Sequence, residues 1–507
     1  MNRSKRISLN LIYGIVGQLI VMVISLIVPK LIIESYGSEM NGFISTIKNV
    51  FVYVALLEAG IGIATVQSLY KYINDRNKIN QVMSATAKQY NKVGIYYIIA
   101  IIILSVLYPL VVTSNISPIT IGLIIAFYGG GSALRFRLQA KYILLLKAEG
   151  KNYIISNVTT LVSIITNISK IILIKLNFSI VSIYFISFIL EFIQALYYLT
   201  YIKKNYKWIN LNIEPDYDSI SQSKSIIVHQ ISSLIFNNTD VFVLTAFCGL
   251  KTVSVYSLYT QLFTYVNTFL VIIVSSVVFV LGQEFNKDRE QYIKLHDAFE
   301  LCYMSLVSLV FTVVSLSVEP FLVLYTKDAI DINYIIPGLT YLFMIIQLLM
   351  CGRAGADNVI NFGKHFDKTK NKSIYESIIN ITVSLISVRI FGIYGVLIGT
   401  IFALLYRTND MIIYANHKIL KRSAVSTYKK WVTNIILVFL CCILGNKLDI
   451  VSNTYIDVFI NAIKFSLIFG LIFVIVNTVL FYEDIKNIYT FINRKFNSQN
   501  VEFKETI

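Results

Sequence analysis

Fourteen long apolar stretches follow one another along 507 residues, and few folds can hold them. They cover about 9–33, 42–69, 93–113, 119–141, 153–174, 179–202, 225–248, 253–282, 298–325, 334–361, 373–390, 392–416, 431–446 and 457–482. A helix crossing hydrocarbon needs roughly 20 apolar residues, and most of these stretches supply them. Lipid offers no partner to open backbone groups, so the expectation is an all-α integral membrane protein. Charged residues make up only 14% of the chain, against about 25% in globular proteins, which excludes a soluble domain of this size. The first stretch, Leu9 to Ile33, is too long for a signal-peptide core and reads as a retained helix.

The connecting segments set an orientation. With the N-terminus in the cytoplasm, inside segments carry 31 of the 44 Lys and Arg residues and outside segments carry 5. That bias would collapse if one span were missed early, so it supports both the count and cytoplasmic termini. The net charge of +16 then belongs to orientation rather than to a nucleic-acid partner. Trp208 and Trp431 fall where an interfacial belt would place them. No outside loop exceeds about a dozen residues, so there is no extramembrane domain to carry chemistry. Cys248, Cys302, Cys351, Cys441 and Cys442 show no metal-ligand spacing and read as buried thiols. The four histidines, His229, His296, His365 and His417, are scattered, which argues against a metal site. No phosphate loop, nucleophile elbow or cofactor motif occurs.

Two segments echo each other. "GQLIVMVISLIVPKLIIESYGSEMNGF" starts at Gly17, and "HQISSLIFNNTDVFVLTAFCGLKTVSV" starts at His229. Gln18 to Gly37 and Gln230 to Gly249 have the same spacing, 212 residues or six spans apart. An even number of spans implies two parallel six-helix lobes. The expected organisation is 1–205 for helices one to six, 206–422 for helices seven to twelve, and 423–507 for helices thirteen and fourteen with a cytoplasmic tail.

These segments, with "LLEAGIGIATVQSLYKYI" from Leu56 and "NNTDVFVLTAFCGLKTVSVYSLY" from Asn237, resemble the polysaccharide transporter family. Its members are Wzx-like oligosaccharide flippases of the multidrug/oligosaccharidyl-lipid/polysaccharide (MOP) superfamily. The resemblance covers most of the chain and is strongest over 10–75 and 225–265. It implies a MATE-like fold, two six-helix lobes plus two further helices around a central cavity. It also implies flipping of undecaprenyl-diphosphate-linked oligosaccharide across a bacterial cytoplasmic membrane by alternating access. The implied partners are that lipid-linked substrate, membrane lipids, and polysaccharide polymerase and glycosyltransferases of the same system.

Ionisable residues inside spans cost roughly 2.5–3.5 kcal/mol each at mid-bilayer and so mark cavities or pairs. Glu58 lies mid-span beside Gly60 and Gly62, which permit close helix contact or unwinding. Arg135 follows Gly129 to Gly131, a run able to act as a hinge, and lies deeper than Arg137, which snorkels to headgroups. Arg353 and Asp357 are four apart, and Arg407 and Asp410 three apart, so each pair shares a helix face. They are self-neutralising pairs, substrate contacts, or both, since an arginine fork suits phosphate. Asp240, in "FNNTD", either binds Na⁺ or a proton or pairs with an arginine. Glu191, Gln194 and Tyr198 share an inward face. Lys30 and Glu34 form a snorkelled pair, while Lys48, Lys170 and Lys464 have no assigned role.

Three functions compete. The first is a flippase holding its substrate on Arg135, Arg353 and Arg407, with no cofactor beyond an H⁺ or Na⁺ gradient. The second is an ion-coupled exporter of small amphipathic molecules, which shares the fold but is disfavoured by fourteen spans and an excess of cations. The third is a membrane oligosaccharide polymerase, disfavoured by short outside loops with few acids. The chain is therefore expected not to be an enzyme.

Overall fold

The computed structural model describes residues 3–58, 60–221, 224–448, 452–487 and 490, with no side chains described for 3–16, 224–229, 273, 275, 276 and 366. The side chains of Arg3, Lys5, Arg6, Lys224 and His229, together with Asp449 and the tail from 491 with Arg494, Lys495 and Lys504, lie outside the described residues.

The described residues hold helices and no strand. Thirteen helical stretches are long and apolar enough to cross a membrane. One of them, Gln230–Ile272, is 43 residues long, about 65 Å at ~1.5 Å per residue, far beyond one crossing. It contains Gly249 at φ 80° and ψ 168°, which splits it into two arms. The expected fourteen spans are therefore present. Six come first: Gly17–Tyr36, Ser38–Glu58, Arg76–Val111, Pro118–Ala148, Asn152–Lys175 and Ile180–Asn205. Spans seven and eight are the arms either side of Gly249, and spans nine to fourteen are Arg289–Tyr325, Leu339–Phe362, Asp367–Phe391, Ile393–Leu420, Val425–Lys447 and Tyr455–Leu480.

The internal echo has a backbone counterpart. Gly37 sits between spans one and two at φ 84° and ψ 164°, almost the conformation of Gly249 between spans seven and eight. A positive φ strains any residue with a Cβ, so both turns need glycine. Spans three and nine are also alike. Each opens on an aspartate N-cap, Asp75 accepting from the Lys78 amide at 3.1 Å and Asp288 from the Gln291 amide at 3.0 Å. Each carries a proline near its far end, Pro109 and Pro320. They run 36 and 37 residues, so they extend well past the ~30 Å hydrocarbon layer. Lys88 and Lys92, expected in a loop, consequently lie on the helical extension of span three, where Asp75 starts the helix before the apolar stretch begins.

The chain divides into two compact units, Met1–Val255 with Asp328–Ile332, and Tyr256–Lys327 with Asn333–Ile507. In the first, span three packs on four, four on six and five on six. In the second, nine packs on ten, ten on twelve and eleven on twelve, and spans thirteen and fourteen lie against nine.

Small and polar residues join span two to spans seven and eight inside the first unit. Asn41 Nδ2 donates to Ser254 Oγ at 2.8 Å, Thr46 and Thr245 hydroxyls meet at 3.0 Å, and Tyr53 and Thr239 hydroxyls at 2.9 Å. A Cβ on Gly42 would stand 1.7 Å from the Leu250 carbonyl oxygen. The segment 328–332 also packs on this unit. Asp331 accepts from the Ser38 amide at 3.1 Å and the Ser38 hydroxyl at 2.6 Å, with Lys251 Nζ at 3.6 Å. Burial pushes the Asp331 carboxyl up, but the Ser38 donors and the Lys251 ammonium outweigh it and hold it below the usual range.

Two outcomes follow. Gly42→Ala should destabilise the protein by about 1–3 kcal/mol, because helix backbones must separate, and thermal unfolding in detergent reads this. Because the folded carboxyl of Asp331 is depressed, its stabilisation is present above the unfolded value of about 3.9 and is lost as pH falls through the folded value. Wild type should therefore lose melting temperature below about pH 4 more steeply than Asp331→Asn, which should already melt lower at neutral pH.

Candidate functional site

The first unit gathers a set of charges around one break in the helical pattern. Span two runs α-helical to Val54, tightens into a 3₁₀ turn at Ala55–Glu58, and resumes at Ile61–Lys71 after Gly60 at φ 98°. Glu58 therefore stands at an interruption, where Tyr90 of span three donates its hydroxyl to Oε1. A Cβ on Gly62 would lie 3.1 Å from that oxygen, so the second glycine makes room for the carboxylate. Beside it opens a cavity of about 850 Å³ lined by Glu58, Gln67, Lys147, Gln230 and Ser233 over an apolar floor that includes Leu144.

Span four supplies the next charges. Its helix is regular through Gly129, Gly130 and Gly131, and the irregularity falls later, as a π-turn over Arg135–Gln139. The glycines serve packing: added Cβ atoms would meet the Phe51 ring at 2.4 Å, the Phe188 ring at 3.0 Å and Glu191 Oε2 at 1.8 Å. Glu191 of span six thus lies flat against span four, with Oε2 buried and without a hydrogen-bond partner among the described residues. Arg135 is exposed and forms no ion pair within 4 Å among them. It stands within electrostatic reach of both Glu58 and Glu191. Lys147 acts on Glu58, and Lys170 acts on Glu191 and on Lys48. Lys170 Nζ also sits 5.0 Å from the centre of the Tyr184 ring. The group has four cations, Lys48, Arg135, Lys147 and Lys170, against two carboxylates, which suits an anionic ligand. Sequence reasoning named Glu58, Arg135 and Glu191 but gave Lys48 and Lys170 no role. The signal was their place in apolar stretches. Asp240 is buried in span seven, next to the Thr239–Tyr53 contact.

The second unit arranges its charges differently. Arg353 does not pair with Asp357. Arg353 caps the helix Ala354–Phe362, and the Asp357 amide donates to its carbonyl at 2.9 Å, so the helical spacing holds and the side chain turns instead to a carboxylate on another span. Asp357 is exposed and accepts from Asn361 at 3.2 Å. Arg353 instead meets Glu376 of span eleven at 2.7 Å, and Arg407 of span twelve meets the same carboxylate at 3.7 Å. The expected Arg407–Asp410 pair is present at 3.0 Å, and Lys372 adds to Asp410 at 3.5 Å. Glu376 went unnoticed in the sequence, although it is an acid close to the start of a span.

Other expectations also change. Lys430, counted as a loop cation, is fully buried between Asp297 and Asp484 at 3.1 Å each. Trp431 packs against span ten, where a Cβ on Gly352 would reach its ring at 1.9 Å. Cys302 is exposed, unlike the buried Cys351, Cys441 and Cys442. Lys30 and Glu34 pair at 3.5 Å as expected, and Tyr198 is buried on the face of span six that carries Glu191. No group of His, Cys, Asp or Glu among the described residues could hold a metal ion.

The fold has known counterparts. The chain is similar to the lipid II flippase MurJ in an inward closed conformation, with a TM-score of 0.62 and 15% identity over 91% of this chain and 98% of that one. It is similar to an inward-facing MATE-family multidrug resistance transporter of the MOP superfamily, at TM-score 0.58 and 14% identity over 80% of this chain and 99% of that one. A MOP-superfamily transporter from Pyrococcus furiosus aligns at TM-score 0.56 and 13% identity, over 82% of this chain and 96% of that one. The chain thus has the all-helical fold of MOP-superfamily transporters. No protein-family model matches it, and no curated protein matches it in sequence.

The two arginine environments predict unequal stability effects. Glu376→Gln removes the carboxylate shared by Arg353 and Arg407 and should cost about 3–5 kcal/mol. Arg135→Ala breaks no ion pair and should stay within about 0.5 kcal/mol of wild type. Thermal unfolding of both variants in the same detergent compares them directly.

Proposed function

We propose that this protein flips an undecaprenyl-diphosphate-linked oligosaccharide across the bacterial cytoplasmic membrane by alternating access, for assembly of a surface polysaccharide. One observation carries the reading: the first unit gathers more cations than carboxylates around Glu58 and Glu191, Glu58 and Lys147 of that group line a large, mainly apolar cavity, and Arg135 forms no ion pair within 4 Å among the described residues. A diphosphate supplies the missing negative charge, and Arg135 binds it through its planar fork. Gln67, Gln230 and Ser233 offer neutral donors and acceptors to sugar hydroxyls. The likeness to a lipid II flippase supports a lipid-linked substrate over a soluble one.

In this reading residues 1–205 and 206–422 are the two lobes, and 423–507 is an appended pair of helices with a tail, both termini being cytoplasmic. Arg353, Arg407 and Asp357 belong to the second lobe. The first two release their hold on Glu376 only in competition with substrate, so they contribute less to capture than Arg135. Asp240 and Glu191 complete the polar surface. The protein works as a transporter rather than an enzyme, alongside polysaccharide polymerase and glycosyltransferases, without nucleic acid and with an H⁺ or Na⁺ gradient as its energy source. The MATE-family likeness favours a second reading, an ion-coupled exporter of small amphipathic molecules.

Purified protein in liposomes tests the choice. Undecaprenyl-diphosphate oligosaccharide should reach the opposite leaflet with wild type. Arg135→Ala should slow it roughly ten- to a hundred-fold, the worth of a hydrogen bond to a charged group, while Arg135→Lys retains part of the rate. Translocation that is equal in all three proteins overturns the role of Arg135. Movement of small amphipathic cations alone selects the exporter.

A further inference from the structure

A second set of buried charges lies in the second unit, apart from Glu376 and its arginines. His296 and Glu300 are one turn apart on span nine and are exposed by only 1% and 4%. His296 Nε2 stands 3.4 Å from Glu300 Oε1. Glu300 Oε2 accepts from the Thr427 hydroxyl of span thirteen at 2.9 Å. Span ten closes the other side with Gly355, where a Cβ would come within 3.0 Å of Glu300 and 3.3 Å of His296. Span ten's own charges, Arg353 and Asp357, lie two residues either side of Gly355; Arg353 is held by Glu376, and Asp357 is exposed.

The neighbouring charges are already committed. Asp297 takes Arg422 and Lys430, the latter at 3.1 Å, and Lys430 also holds Asp484 at 3.1 Å. Arg289 is exposed and donates to the Ile419 carbonyl. The cluster thus has three carboxylates, Asp297, Glu300 and Asp484, against two permanent cations, Arg422 and Lys430; Glu300 and Lys430 are buried, and the other three are partly exposed. Glu300 is the carboxylate left over. Its ion-pair partner within 4 Å among the described residues is His296, a cation only when protonated. An ionised, unpaired carboxylate this deep costs several kcal/mol, so the cluster needs one more positive charge. A proton is the species small enough to supply it.

We propose that His296 and Glu300 together form a binding site for one exchangeable proton, and that this site makes transport proton-linked. With the proton bound, the pair is neutral overall, as imidazolium with carboxylate or imidazole with carboxylic acid. When the proton passes to water, the pair is left at −1. Two buried polar atoms without partners among the described residues adjoin it, His296 Nδ1 and the hydroxyl of Tyr292, whose ring stacks on the imidazole at 5.7 Å. Thr427 carries the consequence to span thirteen, and Asp297 and Lys430 carry it to Arg422 after span twelve and Asp484 after span fourteen.

The link to transport rests on the flippase reading, so the experiment has two arms. The first needs no substrate. Nitrogen NMR of histidine-labelled protein follows the imidazoles from about pH 5 to 9, with the His296 signal assigned by His296→Gln. Glu300→Gln keeps an acceptor for Thr427 and removes the charge. The pH dependence of the His296 signal should then differ from that of wild type, because the carboxylate that faces the imidazole has lost its charge. A His296 signal that does not titrate, or that titrates identically in Glu300→Gln, overturns the site. The second arm measures translocation in liposomes with and without a pH gradient. Wild type should be accelerated several-fold by the gradient, and Glu300→Gln should lose the acceleration but retain gradient-free exchange. Acceleration that survives in Glu300→Gln overturns the coupling. A titrating His296 in a protein that moves no lipid-linked sugar overturns the flippase reading and leaves the proton site standing.

Discussion

A hydrocarbon layer gives an open amide nothing to bond to, so a chain that lives there must close its own backbone bonds. This protein does so with helices, and its few departures inside spans are instructive. Span two breaks around Gly60, span four widens over Arg135–Gln139, span ten breaks at Arg353, and span twelve ends in a π-turn over Ala415–Leu420. Glu58 precedes the first, Arg135 opens the second, Arg353 is the third, and Asn416 lies in the fourth. Irregular backbone needs polar company, and so does a charged side chain. Placing both at the same height lets one polar environment serve the two needs.

Much of this was legible in the residues because lipid narrows the choices. Fourteen apolar stretches yielded fourteen spans, and the Gln-to-Gly echo marked two glycines that adopt nearly the same positive-φ turn. The aspartate caps at Asp75 and Asp288 were equally visible but went unused, and they explain why spans three and nine outrun their apolar stretches. What stayed hidden depends on contacts between distant segments. Arg353 shares a helical turn with Asp357, but Glu376 of span eleven competes for it, and no spacing within one helix reveals a partner on another. Lys430 looked like a loop cation because the apolar stretch of span thirteen begins just after it, at 431. Only the fold shows that Asp297 and Asp484 close around it. Glu191 could be placed on a face, but the glycine that admits it could not be matched to it in advance.

The two units use charge in opposite ways. Around Glu376 and Asp410, arginines and a lysine meet carboxylates in a continuous chain of pairs, and Arg407 is 5% exposed. Such a network tolerates burial because each charge has a partner, and it loses stability sharply when one is removed. Around Arg135 the cations outnumber the acids, and the arginine is exposed. Surplus charge without ion pairs contributes little to folding, and it raises the local concentration and affinity of an anion. The contrast separates a structural role from a binding role among residues that composition alone treats alike.

The same accounting of partners gives the His296–Glu300 pair its significance. A proton can drive transport only if the protein holds it with different affinity in two states. A tenfold proton gradient supplies about 1.4 kcal/mol, and a one-unit change in affinity between the states is needed to use it. Glu300 is placed to give such a change. No permanent cation pairs with it within 4 Å among the described residues, and Lys430, which acts on it from further off, is shared with Asp297 and Asp484, so its proton affinity depends on His296, on the Thr427 hydroxyl, on the balance of Lys430 against Asp297, and on the exclusion of water by Gly355. Each of the last three depends on a contact that a shift of spans ten or thirteen against span nine would loosen. Arg422 and Lys430, locked on Asp297, cannot move in to compensate without abandoning a second carboxylate. Loosening the cluster with its proton in place therefore favours release, and releasing the proton weakens the cluster. By linkage these are one free energy, read from either end.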